Sequence, residues 1–291
     1  MANKPAGPNP SSNQPRAGDD AALTDALENL ARQPVQTRVV IRKPAHKPAL
    51  LDYMSEQESL LRDAARHFRE LSGKEPFSYA AEWLLDNFYV VQQTFRQIRE
   101  DMPPGFYRQL PKISANPLEG TPRIYAVAGE LVVNNKAHLE MDRVDRSVQL
   151  FQDITPLTTA ELWALPVMLR LAIMECLTQA VSRITGLQRE NPLPVLTLKG
   201  KTTDDEIVAN CIMSLRTLAI QDWQAFFEKV SRVELVLRTD PAQVYPKMDK
   251  ESRDRYRKVI EELALATGRN EQEVAREAIR LAQNPPGGSG C

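Results

Sequence analysis

Residues 162–177 read LWALPVMLRLAIMECL, the most apolar run in the chain. Only Arg170 and Glu175 are charged within it, and it contains one proline, Pro166. Because apolar side chains would cover nearly every side of a helix formed by this run, it predicts a central buried helix, kinked or restarted at Pro166. The run falls short of the roughly 18 uninterrupted apolar residues that a membrane-spanning helix needs.

The residues just before this run mark the start of the predicted helix. Thr158-Thr-Ala-Glu161 is a capping box, in which the Thr158 hydroxyl and the Glu161 carboxylate each accept a hydrogen bond from the other residue's backbone N–H. Thr203-Asp-Asp-Glu206 repeats the pattern and predicts the start of a second helix.

Apolar side chains recur at helical spacing over much of the remaining chain. Residues 78–100 are predicted to form one long amphipathic helix, because apolar residues follow one another at intervals of three or four. Comparable patterns predict helices over 52–71, 142–151, 251–266 and 271–282. Strand-like runs are confined to 37–42 and 195–198. The sequence therefore predicts a mainly α fold of packed helical hairpins joined by short loops, with little or no sheet.

The two ends of the chain differ in composition from the middle. Residues 1–36 begin with a proline-rich stretch and are predicted to form a disordered tail. Residues 37–283 are predicted to form one helical module, with a sub-boundary near 187–202. Residues 284–291, NPPGGSGC, have the composition of a linker.

The composition excludes several classes of function. The chain has 291 residues, 42% of them hydrophobic and 26% charged, and its net charge is −1. This balance argues against a nucleic-acid partner, which usually demands a basic surface, and against a polybasic membrane anchor. The first residues lack the apolar core of a signal peptide, so we expect a cytoplasmic protein.

No metal, cofactor or disulfide site is predicted. The three cysteines and three histidines have no metal-ligand spacing, whereas a zinc site needs about four clustered ligands. Cys176 and Cys211 lie in apolar helical patterns and are predicted to be core residues.

Motifs that could carry catalysis have simpler explanations. Gly200-Lys-Thr202 resembles the end of a phosphate loop, but position 195, where that loop needs glycine, is Val195. The acidic run Asp204-Asp-Glu206 falls in a first helical turn, where it complements the helix dipole. The chain contains neither a D-x-D nor a Q-x-x-R-W motif. We therefore predict no catalytic residue.

Several segments, in this order, resemble the N-terminal segment of bacterial cyclic β-1,2-glucan synthases. The resemblance covers about residues 40–283, and its specificity comes from the order of many motifs. The segments are AEWLLDN at 81–87, PPGFYRQLPK at 103–112, PRIYA at 122–126, TPL at 155–157, ELWALPVMLR at 161–170, DWQAFFE at 222–228, DP at 240–241, VYPKMD at 244–249 and RDRYR at 253–257.

This resemblance implies a context for the chain. Such synthases are large inner-membrane proteins that have a cytosolic N-terminal segment, membrane helices, a transferase part that uses UDP-glucose and a phosphorylase-like part. Their catalytic motifs belong to the later parts, so no catalytic residue is carried over. The resemblance implies a fragment, a truncated reading frame or a detached regulatory copy, located at the cytosolic face of the inner membrane.

Two roles without catalysis follow from this reasoning. The first is a helical module that docks against the transferase and membrane parts of a synthase, in the same polypeptide or in another, through Phe106, Tyr107 and Arg108. Packing of these residues against the preceding helix is an equally good explanation. The second is a module that binds β-1,2-glucan through Trp83, Trp163 or Tyr107, although core packing is the simpler explanation for the tryptophans. A stand-alone helical interaction protein is a further alternative, and a stand-alone enzyme is the least favoured.

Overall fold

The computed structural model describes residues 17–36, 50–71, 78–188, 196, 198 and 202–283. Within these residues the chain forms thirteen α-helices and one short 3-10 helix, Tyr245–Lys247. The helices are α1 (Ala17–Ala31), α2 (Met54–Leu71), α3 (Tyr79–Asp86), α4 (Phe88–Asp101), α5 (Pro104–Gln109), α6 (Arg123–Asn134), α7 (Met141–Ile154), α8 (Thr159–Thr185), α9 (Asp204–Ile220), α10 (Trp223–Val230), α11 (Arg232–Leu237), α12 (Lys250–Thr267) and α13 (Glu271–Gln283). The predicted mainly α fold is confirmed.

The sheet in the described residues is minimal. It consists of β1 (Val35–Gln36) and β2 (Lys112–Ile113), which pair antiparallel with Val35 opposite Ile113. The strand-like runs at 37–42 and 195–198 lie outside the described residues, apart from positions 196 and 198.

Helix α8 is the centre of the main core. It packs against α2, α4, α6 and α9, and it starts at the predicted capping box. It is the one described helix that is long and apolar enough to cross a membrane, and 94% of that apolar window is buried inside the protein. The predicted restart at Pro166 is wrong: α8 runs through it. Leu165 and Val167 are buried on either side, so packing holds the helix where proline removes one backbone hydrogen bond.

The predicted disordered tail is wrong for residues 17–36. Helix α1 packs against α6 and α7. Leu23, Leu27 and Leu30 recur at helical spacing and are buried, so burial of this apolar face orders the segment. Residues 1–16 lie outside the described part, and the tail stays a prediction there.

The helix predicted over 78–100 is two helices, α3 and α4, separated at Asn87. The Asn87 backbone has φ −117° and ψ 14°, which departs from helical geometry. Its side-chain Nδ2 donates to the Trp83 carbonyl at 2.8 Å. An asparagine side chain that bonds to the backbone in this way competes with helical hydrogen bonding, which accounts for the break.

A second, smaller core lies under the C-terminal helices. Its buried members come from α11, the 3-10 helix, α12 and α13, and they are Val233, Leu237, Tyr245, Ile260 and Ala275. The predicted sub-boundary at 187–202 and the linker-like end at 284–291 fall mostly or wholly outside the described residues, so both stay predictions.

Candidate functional site

The acidic run at the start of α9 has structural partners. Asp204 pairs with Arg183 at 2.5 Å, Asp205 accepts a hydrogen bond from the Ala80 backbone N–H at 2.7 Å, and Glu206 completes the capping box with Thr203. These contacts agree with the predicted structural role of the run. Gly200 and Lys201, from the loop-like motif, lie outside the described residues.

The two core cysteines are buried, as predicted. Burial raises the pKa of the Cys176 thiol to about 12 and places the pKa of Cys211 well above its ordinary value. Because the thiolate is the reactive form of cysteine, both side chains are suited to packing.

The proline-flanked segment around α5 is mostly packed. Tyr107 is buried, and its hydroxyl accepts a hydrogen bond from the Leu50 backbone N–H at 3.4 Å. Phe106 is half-buried against the main core. Arg108 is exposed, and its Nε donates to the Pro104 carbonyl at 3.2 Å. Of the three residues predicted for contact with a partner, Arg108 alone is exposed.

The two predicted tryptophans lie in different surroundings. Trp163 is 37% exposed and stacks on Phe227, with 4.5 Å between the ring centroids. Trp83 is half-buried and meets Tyr79 edge-on at 5.8 Å. Each indole therefore has an aromatic partner within the protein, and the two rings lie on separate helices, α8 and α3.

A buried ion network ties the C-terminal helices together. Its centre is Glu234 on α11, which has no exposed area. Arg238 and Arg253 donate to Oε1 at 2.9 and 3.1 Å. Tyr245 and Arg257 donate to Oε2 at 2.7 and 2.5 Å. These five residues are the Glu234 network, and they join α11, the 3-10 helix and α12.

The outer surface of α12 carries exposed apolar side chains. Of the twelve large apolar side chains exposed in the described residues, seven lie between Leu235 and Leu281. Tyr256, Val259 and Leu263 are 52%, 51% and 47% exposed. Their spacing of three and four residues places them on one face of α12, and we call these three residues the α12 stripe. Tyr256 also meets the buried Tyr245 edge-on, with 5.9 Å between the ring centroids. An apolar face that is about half exposed in this way is typical of a protein interaction site.

A cleft of about 550 Å³ opens beside α12. Its walls come from the segment after α5, the start of α6, the α7–α8 connection, α12 and the α12–α13 turn. The lining includes Gln109, Pro111, Arg123, residues 155–158, Ala160, Glu261, Ala264, Leu265 and residues 268–272. This volume is within the usual range of small-molecule sites.

Two buried charged groups, Arg123 and Glu271, are among the residues that line the cleft. Arg123 donates from Nε and Nη2 to the two carboxylate oxygens of Glu161, at 2.8 and 2.6 Å. Glu271, the first residue of α13, accepts from the Thr159 backbone N–H at 2.8 Å and from its hydroxyl at 2.7 Å. Burial raises the pKa of Glu271, and the nearby charges of Glu261 and Glu161 raise it further.

We expect Glu271→Gln to make stability less dependent on pH. The amide oxygen can still accept from Thr159, while the ionised form that burial disfavours is removed. Since the folded protein binds this proton more readily than the unfolded chain, wild-type stability falls as the pH rises from the ordinary glutamate pKa of 4.5 through the raised value. Urea unfolding at about pH 5 and pH 8 measures the difference.

The control for this prediction is Glu273→Gln, two residues further along α13, where the side chain is exposed. It should keep the wild-type pH dependence. Equal pH dependence in all three proteins would contradict the role given to Glu271.

The sequence did not predict the Glu234 network or the cleft. Both join residues far apart in the chain, and the individual residues have no distinctive pattern. The α12 stripe had a visible signal, since Tyr256, Val259 and Leu263 recur at helical spacing.

No family model matches the chain. It is 29% identical to the cyclic beta-(1,2)-glucan synthase NdvB of Rhizobium meliloti (strain 1021), over 70% of this chain and 10% of that protein. The chain therefore spans about a tenth of the length of the curated relative that it matches. The resemblance predicted from the ordered motifs is confirmed, and the chain is similar to one segment of a bacterial cyclic β-1,2-glucan synthase, consistent with the N-terminal segment.

Proposed function

We propose that this chain is a helical module without catalytic residues of its own, and that it contributes to cyclic β-1,2-glucan synthesis from UDP-glucose. It acts by docking to the transferase and membrane parts of a synthase, at the cytosolic face of the inner membrane. The observation that carries the proposal is the similarity to a synthase of which the chain spans 10%. Because the match covers a tenth of that synthase, the other nine tenths of the enzyme could provide the surface that this chain contacts.

The α12 stripe is the docking surface in this proposal. Its three side chains are exposed on one helix face, and α12 is fixed to α11 by the Glu234 network, so the face is presented in a defined orientation. Fully burying an exposed apolar side chain of this size is worth about 1.5–3 kcal/mol, and side chains that are half exposed can gain about half of that against a partner. Arg108 provides an exposed cation on α5 for the same partner.

The glucan-binding alternative through Trp83, Trp163 and Tyr107 has less support. Tyr107 is buried, and both tryptophan rings pack against aromatic neighbours. Trp163 is 37% exposed, but its ring is stacked on Phe227, so one face is already covered and is not available for stacking on sugar.

The test uses a full-length cyclic β-1,2-glucan synthase in which this chain replaces the matching segment, followed by a specific protease site. In the wild-type chimera, we expect the cleaved module to stay with the membranes and glucan to form from UDP-glucose. Leu263→Glu should weaken retention by about tenfold or more, because it removes an apolar contact of about 1 kcal/mol and places a charge in the interface.

The matched control is Met213→Glu on α9. Met213 is 44% exposed against 47% for Leu263, and both lie within a helix, so the substitutions match in exposure and charge. This variant should be retained like the wild type. Equal behaviour of the two variants, or loss of the wild-type module from the membranes, would overturn the proposal.

A further inference from the structure

The cleft beside α12 contains polar groups that the fold leaves unused. No hydrogen bond or ion pair within the described part of the chain reaches the Glu261 carboxylate, which lies half-buried in the cleft wall. Glu271 uses only Oε2 to accept from Thr159, so Oε1 is left for another donor. Asn270 uses Oδ1 to accept from the Gln272 N–H, and this leaves its amide N–H groups to donate.

The charge of the cleft is close to balanced. Arg123 is already neutralised by Glu161. Two carboxyl groups, Glu261 and Glu271, and one arginine, Arg269, then remain in the lining, and Lys258 attracts Glu261 from outside the lining. Phosphate recognition requires an excess of cationic donors, which this set does not provide. Burial raises the pKa of both carboxyl groups.

The remaining lining is apolar and close to the polar groups. Ala264 and Leu265 lie on α12 one helical turn after Glu261, and Ala160 on α8 also lines the cleft. A ligand that fits this lining needs hydroxyl groups to donate to carboxylates and to accept from amides, together with C–H faces to contact alanine and leucine. A saccharide has this combination and carries no charge.

We propose that the cleft between α8, α12 and the α12–α13 turn binds a neutral saccharide, with Glu261 and Glu271 accepting hydrogen bonds from its hydroxyl groups. The site is distinct from the tryptophans on α3 and α8 considered above. The choice of a β-1,2-linked glucose chain as ligand rests on the proposed function, whereas the choice of a neutral saccharide rests on the cleft.

The test is calorimetric titration of the complete chain with β-1,2-linked glucose oligosaccharides, with binding followed in parallel by NMR. We expect Glu261→Ala to weaken binding at least tenfold, because it removes a charged acceptor. The control is Glu262→Ala, which removes the neighbouring exposed carboxyl group from outside the cleft and should leave the affinity unchanged. Circular dichroism of both variants reports that the fold is kept.

Two results would overturn the proposal. One is the absence of saturable binding by the wild-type chain at millimolar oligosaccharide, and the other is equal binding by Glu261→Ala and the wild type. Neither result bears on docking, because the docking test measures membrane retention with Leu263→Glu and adds no saccharide. Conversely, loss of docking in that test leaves the calorimetric result intact.

Discussion

Replacing Glu234 by alanine is expected to destabilise the C-terminal helices by about 3 kcal/mol, because the change removes a fully buried carboxylate that four donors share. Arg253 then keeps Glu228 and Arg257 keeps Asp254, whose side chains are 20% and 46% exposed. Arg257 is 2% exposed at its side chain and Arg253 is 15% exposed. Both donate to Glu234, and their more exposed second partners replace its carboxylate only in part. Urea unfolding followed by circular dichroism measures the free energy of unfolding.

The control is Glu251→Ala at the start of α12. Glu251 pairs with Arg255, but the two side chains are 79% and 76% exposed. Exposed pairs of this kind contribute about 0–1 kcal/mol, so this variant should unfold close to the wild type. A small and equal loss in both variants would show that the Glu234 network does not hold the C-terminal helices.

The same network predicts an acid-sensitive contribution to stability. Burial alone would raise the pKa of Glu234, but hydrogen bonds from Arg238, Tyr245 and Arg257 outweigh it and lower the pKa below 4.5. The folded protein therefore releases this proton more readily than the unfolded chain. The stabilisation is present above the ordinary pKa and is lost as the pH falls through the lowered value. The Glu234→Ala variant should not lose this stabilisation as the pH falls.

The helices that sequence predicted best are those with local start or stop signals. Both capping boxes lie at the starts of α8 and α9, where the pattern placed them. Gly268 ends α12 with φ 67°, a conformation that glycine adopts readily. Such signals depend on residues within one turn of each other, so a single sequence is enough to detect them.

Other features depended on contacts that no local pattern reports. The proline-rich stretch before α1 predicts a disordered tail, yet α1 packs against α6 and α7 and its leucines are buried. The cleft draws its walls from five parts of the chain, between Gln109 and Gln272. A pattern search along the sequence has no means of bringing these parts together.

The two capping boxes are identical in motif but differ in their surroundings. At Glu206 the carboxylate accepts from the Thr203 N–H and has exposed surroundings. At Glu161 the carboxylate accepts from the Thr158 N–H and also holds Arg123, in a pair whose side chains are 0% and 6% exposed. Arg123 and Glu161 are 38 residues apart in the sequence, so the capping motif alone does not reveal this difference.

We therefore expect the same substitution to have very different effects at the two boxes. Glutamine can replace glutamate in a capping box, so Glu206→Gln should change stability by less than about 0.5 kcal/mol. Glu161→Gln removes the charge that compensates buried Arg123 and should lower the free energy of unfolding by about 3 kcal/mol or more. Urea unfolding of the two variants gives the comparison directly.

A double-mutant cycle separates the ion pair from the cap. Arg123→Met alone should also be strongly destabilising, because it leaves Glu161 buried without its cation. If the pair is responsible, the double variant Arg123→Met/Glu161→Gln should be about 1–3 kcal/mol more stable than the sum of the single losses predicts. If the losses of the two single variants simply add in the double variant, the effect of Glu161→Gln comes from the cap. In that case Glu206→Gln should lower the free energy of unfolding as much as Glu161→Gln does.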